Sequence, residues 1–305
     1  MKYLSPLAIG VSVLATYPAF AQSSIEGLYY SGFAQGEYYD YSGGNDNALY
    51  GKATIGFKAP AGGSLGWGAE LGVEAINFSG DTYKVLNPVV FLDTDYGRFT
   101  VGAPKSVAET YGIPDKFDSN GLFALEFGAL FSSVPKLVAL DVDKVVLGAR
   151  YDYMLGNTKF GLSYHRYTDS GDHLNVYALG VRHSFDMIDV FATYENAKAS
   201  GFSEDFFTVG AEGHYAALDY GIEYKNGFIY EPSLDTTYVY VDYNVNDKFV
   251  VGGEVAHLSG GGGSDTLYSI NADYTFWQNA YIGASYIDGS GSFDRIYSAR
   301  LGWKF

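Results

Sequence analysis

Apolar and polar residues alternate at period two along most of the chain, and turn residues interrupt the alternation about every ten to fifteen positions. Leu65, Trp67, Ala69, Leu71, Val73 and Ala75 share one face of a segment whose other face carries Gly66, Gly68, Glu70, Gly72 and Glu74. Val145, Leu147, Ala149, Tyr151 and Tyr153 alternate with Lys144, Gly148, Arg150 and Asp152. Near the end, Tyr297, Ala299, Leu301, Trp303 and Phe305 alternate with Ser298, Arg300, Gly302 and Lys304. The pattern predicts strands over 24–37, 48–58, 64–77, 83–92, 97–103, 142–154, 158–167, 174–185, 189–198, 205–216, 218–229, 235–245, 248–258, 266–276, 279–288 and 293–305. That is sixteen, an even number, each with one oily and one wet face. Such strands suit an antiparallel barrel standing between lipid and water.

The connections alternate as well. Every second one is short, as at Gly156-Asn157 and Asn246-Asp247, whereas Tyr41 to Asn47 and Ser259 to Asp265 read as looser loops. This rhythm places both chain ends on the same side of the barrel. One connection stands apart. Between Ala103 and Asp141 the alternation is lost, and Pro104, Pro114 and Pro135 fall there. A loop of that length in a compact protein carries function or is disordered. The apolar runs Leu122 to Leu125 and Phe127 to Phe131 need somewhere to pack, and the barrel lumen is the sheltered place on offer. Pro88 lies inside the fourth predicted strand, where its missing N–H predicts a bulge or a shorter strand. Val89 to Leu92 is apolar on both faces, which predicts cover outside from a second subunit and inside from the long loop.

Composition sharpens this picture. The 305 residues include 29 Tyr, 21 Phe and 39 Gly, yet the mean hydropathy is −0.04. A wall oily outside and wet inside averages in this way. Lys2, the apolar stretch Leu4 to Leu14 and Ala19-Phe20-Ala21 read as a signal peptide over residues 1–21, leaving 22–305 as one barrel domain. Losing Lys2 takes the formal charge from −16 to −17, which argues against nucleic acid as a partner. With no cysteine, disulfides, thiolate metal sites and Cys nucleophiles are excluded. No later apolar stretch is long enough for a membrane helix. His165, His173, His183, His214 and His257 show no metal-ligand spacing, and neither a GxSxG elbow nor a P-loop occurs, so neither a cofactor nor an enzyme is expected. A soluble β-sandwich would have to leave its apolar outward faces in water.

The signal peptide, sixteen alternating segments, long connection after the fifth strand and ending Leu301-Gly302-Trp303-Lys304-Phe305 together resemble the general diffusion porins of Gram-negative bacteria. The resemblance covers the whole mature chain. It implies an outer-membrane homotrimer in contact with lipid and lipopolysaccharide, with a third external loop folded into each lumen. It implies passage of small polar solutes and ions, and recognition of Trp303 and Phe305 by the barrel-insertion machinery. It further implies a constriction in which loop acids, here Glu109, Asp115, Asp118 and Glu126, face wall bases, here Lys52, Arg98, Arg150, Arg182 and Arg300. The chain departs from the pattern in that these bases are scattered over several strands and that Lys105, Lys116 and Lys136 dilute the loop's charge. The acidic balance, with Glu70, Glu74, Glu195, Glu212, Glu223 and Glu254 on wet faces, predicts a cation preference. The alternatives are a sugar channel guided by Tyr238, Tyr240 and Tyr281, and a barrel enzyme or adhesin.

Overall fold

The computed structural model describes residues 26–59, 65–78, 81–113, 133–142, 144–169, 172–228, 231–260, 263–290 and 295–305. The predicted signal segment and Asp115, Asp118 and Glu126 lie outside them.

Sixteen strands form one closed antiparallel barrel. In chain order they are β1 Leu28–Tyr41, β2 Gly44–Lys58, β3 Gly66–Phe78, β4 Asp81–Thr94, β5 Gly97–Gly102, β6 Leu147–Leu155, β7 Thr158–Asp169 and β8 Asp172–Ser184. They continue as β9 Ile188–Ala199, β10 Phe202–Tyr215, β11 Leu218–Phe228, β12 Glu231–Asn246, β13 Phe249–Gly260, β14 Gly263–Trp277, β15 Ala280–Gly289 and β16 Ile296–Lys304. Among the described residues, two short helices lie between β5 and β6: α1, Val107–Tyr111, and α2, Val134–Val142. Each strand pairs with its sequence neighbours, and β16 returns to β1. Phe305 completes the seam, exchanging backbone hydrogen bonds of 2.8 Å with Gly32 in both directions. Closure leaves no free sheet edge, the condition for placing backbone amides in hydrocarbon.

The faces divide as the alternation predicts. On β7 and β11 the outward Leu162 and Ile222 are 56% and 51% exposed, while the inward Ser163 and Glu223 are 6% and 2% exposed. An exposed apolar band is costly in water but is the lipid-facing surface in a bilayer. The wet face is buried chiefly by side chains lying across their neighbours. Arg300 reaches Asp273 over Gly283 at 2.6 Å, and a Cβ at Gly283 would stand 2.2 Å from the Asp273 carboxylate.

Three expectations need correction. The supposed loop from Tyr41 to Asn47 is a tight turn, because β1 runs to Tyr41 and β2 begins at Gly44. Likewise β13 continues to Gly260 and β14 starts at Gly263. These strand ends stand beyond the apolar belt, where both faces are polar and the period-two signal fades. Pro88 makes no bulge: β4 is continuous and pairs Leu71 with Pro88 in unbroken register. On its other side β5 is already ending, and the Pro88 carbonyl accepts from the Ala103 amide at 2.8 Å. The missing N–H therefore falls where the neighbouring chain leaves the wall.

Candidate functional site

The chain turns off the wall at Gly102, whose φ of 120° suits glycine and few other residues. Ser106 then caps α1, its Oγ accepting from the Ala108 amide at 3.2 Å. Val107 and Tyr111 are fully buried against the inner faces of β7 and β8. Their seat exists because Gly161 and Gly180, opposite each other in register, carry no side chains. A Cβ at Gly161 would lie 2.6 Å from the Tyr111 hydroxyl, and one at Gly180 would lie 2.7 Å from Val107.

Polar wall side chains then take up the backbone groups of this leg. His165 donates Nε2–H to the Pro104 carbonyl at 2.8 Å, a tautomer required by an acceptor that cannot donate. Arg150 Nη1 donates to the Lys105 carbonyl at 3.1 Å, and Ser163 Oγ accepts from the Val107 amide at 3.1 Å. Arg182 Nη1 donates to the Tyr111 and Gly112 carbonyls at 3.2 and 3.4 Å, placing positive charge at the C-terminal end of α1. Glu223 Oε2 accepts from the Ile113 amide at 2.8 Å, and the Tyr111 hydroxyl donates to Asp152 at 2.9 Å.

The returning leg is attached differently. On α2, Val134, Val138 and Ala139 join Val85, Val146, Val176, Ala197 and Phe206 in an apolar cluster on the inner wall. The β4 residue that packs against α2 is Val85. One ion pair fixes its azimuth. Lys136 Nζ lies 3.3 Å from Glu74 Oε1, with both side chains buried, and the Tyr50 hydroxyl donates to the same oxygen at 2.9 Å. The two legs meet at Glu195 on β9. Ser106 Oγ donates to Glu195 Oε2 at 2.9 Å, and the Val134 amide donates to Oε1 at 2.7 Å.

The sequence-predicted charged residues fall into separate groups. Glu109, on α1, pairs with Lys105 at 3.2 Å. Burial alone would raise its carboxyl, but the ammonium groups of Lys105 and Lys136 outweigh this and hold it below the usual carboxylate range. Arg150 and Arg182 lie beneath α1, where Arg150 pairs with Asp152 at 2.7 Å. Arg182 pairs with Asp189 at 2.7 Å and with Glu212. Lys52 stands opposite Glu74 in the β2–β3 register and so joins the Lys136 group. Arg98 pairs with Asp93 at 2.6 Å and lies over the Phe91 ring, and Arg300 pairs with Asp273 at 2.6 Å. The hydroxyls of Tyr238 and Tyr240 are held by Glu254 and Glu212, and that of Tyr281 donates to Gln35 at 2.7 Å. Trp303 packs edge-on against Trp277 with ring centroids 5.5 Å apart. Among the described residues no group of three or more His, Asp or Glu side chains could hold a metal ion.

The wall residues that hold the loop were missed from sequence. Ser163, His165, Glu195 and Glu223 are readable as inward, but only the facing glycines Gly161 and Gly180 signal that something comes close.

Comparison with known proteins agrees with this architecture. No curated protein matches the chain. Among solved structures, a five-substitution mutant of the Rhodopseudomonas blastica porin superposes with a TM-score of 0.70 at 19% identity, over 91% of this chain and 100% of that one. A triple mutant of the same porin gives a TM-score of 0.67 at 17% identity, with the same coverage. A structure described as showing asymmetric conductivity of engineered proteins gives 0.69 at 19%, again over 91% and 100%. At these identities the likeness establishes the fold. The family model described as Gram-negative porin matches residues 8–298. A closed sixteen-stranded barrel, wet inside and oily outside, with its fifth connection brought inward, is thus a member of the Gram-negative porin family, an outer-membrane diffusion channel.

Proposed function

We propose that the chain is a passive, cation-preferring pore for small hydrophilic solutes and ions, narrowed by the connection that carries α1 and α2. The observation that carries this reading is the attachment of both legs to the inner wall. Side chains from six strands hold backbone atoms or helix faces inside the lumen, where bulk would narrow the path. Cation preference is supported by the formal charge of −17 left after cleavage behind Ala21, and by the pairing of Arg98, Arg150, Arg182 and Arg300 with carboxylates. In this reading Glu109, with Asp115, Asp118 and Glu126, contributes the negative side of the constriction. Lys52, Arg98, Arg150, Arg182 and Arg300 are the bases along the wall.

A homotrimer is supported by the outer surface. On β1, β2, β15 and β16 the small outward residues Ala34, Gly36, Gly51, Ala53, Ala284 and Ala299 lie among large ones such as Tyr38, Leu49, Tyr297 and Leu301. Small residues set among large ones let a second copy approach closely. At the barrel end away from the termini, outward Asp205 and Asp288 are hydrogen-bonded by Tyr194 and Tyr286 at 2.5 and 2.7 Å, a polar rim suited to lipopolysaccharide headgroups. Trp303 and Phe305 would serve the insertion machinery.

The test is single-channel recording of detergent-purified protein in a planar bilayer under a salt gradient. Ohmic steps closing in threes, with a reversal potential on the cation side, are expected. An anion-side potential overturns the selectivity, and a folded barrel that passes no current overturns the pore. Saturable block by a sugar would turn the reading to a specific channel.

A further inference from the structure

We propose that Glu195 is a positioning residue, the clasp by which one carboxylate holds both legs of the inward segment on the wall; this rests on the pore reading above. Several wall side chains touch one leg, among them Arg150, Ser163, His165 and Arg182 on the outgoing side and Glu74 on the returning side. Glu195 binds both, Ser106 at the start of α1 and Val134 at the start of α2. These contacts are 28 positions apart along the chain (134 minus 106) yet share a single carboxyl group. A carboxylate has two oxygens that accept in diverging directions, and here each oxygen serves one leg.

The placement is built rather than incidental. Glu195 is 3% exposed, and Ser106 is fully buried. The carboxylate also lies at the N-terminal end of α2, where it accepts from the first amide of the helix, that of Val134. On β11, Glu223 accepts from the Ile113 amide, so a second acid holds the outgoing leg alone. Releasing Glu195 should therefore free both legs together, whereas releasing Ser106 should free one.

Because the chain has no cysteine, a single introduced thiol reports on each leg without interference. Val107→Cys marks α1 and Ala139→Cys marks α2, both at buried positions. Thiol labelling of the folded, heat-modifiable barrel is then measured in each background. With Glu195→Ala, both thiols should label faster by about tenfold or more, as expected when each leg loses a buried acceptor and leaves its donor unsatisfied. With Ser106→Ala, only the Val107→Cys thiol should accelerate. Glu195→Gln keeps an oxygen for the Val134 amide and an amide for Ser106, so it should restore labelling close to the parent rate. Unchanged rates in Glu195→Ala, acceleration of one leg alone, or equal behaviour of Gln and Ala would each overturn the clasp. If Glu195→Ala does not assemble, Ser106→Ala decides, and acceleration of both thiols or of neither overturns the proposal. Bilayer recording of the parent separates the two readings. A parent without current but with this labelling pattern loses the pore and keeps the clasp; a conducting parent with unchanged labelling loses the clasp alone.

Discussion

α1 and α2 leave the same wall at neighbouring points and are attached to it by opposite chemistry. Arg150, Ser163, His165 and Arg182 satisfy the backbone around α1, which sits in a seat emptied by Gly161 and Gly180. Apolar side chains of α2 merge with Val85, Val176 and Phe206, and the buried Lys136–Glu74 ion pair orients it. A five-residue helix has too few side chains to bury much area, so it must be held through its backbone. The nine residues of α2 reach into an apolar patch that would otherwise face the lumen water. Polar attachment specifies position through directional bonds, and apolar attachment supplies burial without direction.

The contrast can be broken from either side. The largest effect is expected from Val138→Asp, which puts a charge into the α2 cluster at a cost of several kcal/mol and should release that leg. A raised single-channel conductance with an intact heat-modifiable barrel would check it. Lys136→Met leaves the buried Glu74 without its ion-pair partner, at a cost approaching about 3 kcal/mol. Earlier voltage closure would report it, and Glu74→Gln in the same chain should recover part of the loss. Gly180→Val overfills the seat of Val107 and should cost about 1–3 kcal/mol. It should loosen α1 while α2 keeps its protection from protease. Ser106→Ala removes a cap worth about 1 kcal/mol and should shift only the α1 leg.

Acid gives the smallest effect. The Glu109 carboxyl is held below its unfolded value, so its contribution is present above the ordinary carboxylate pKa of about 4.3 and is lost as pH falls through the lower folded value. Conductance should therefore show no Glu109-dependent step between about pH 7 and pH 5. A step there that disappears in Glu109→Gln would contradict the paired geometry.

The barrel was legible because lipid and water impose the same test at every second residue. Leu162 and Ser163, or Ile222 and Glu223, can be sorted from sequence without knowing any contact. The signal ended where the two solvents ceased to differ. The strand ends at Tyr41, Gly44, Gly260 and Gly263 stand beyond the belt, and their pairing depends on backbone hydrogen bonds that leave no mark on hydropathy. Pro88 looked like a defect until the departure of the neighbouring chain at Ala103 showed that no donor was needed there.

The sequence by itself determined the strand number, the face each side chain takes, the barrel's closure and the inward destination of the connection after β5, since all follow from local periodicity and the absence of any other sheltered place. Tertiary structure alone decided which inward residues act together. Arg150 and Arg182 were readable as wall bases, but their place beneath α1 depends on rotation of the barrel and the path of the connection. Glu195 reaches Ser106 and Val134 across 89 and 61 positions of chain, distances at which sequence spacing carries no geometric information. Side-chain direction is a local property of the strand, whereas partnership is set by the register of sixteen strands and by what enters between them.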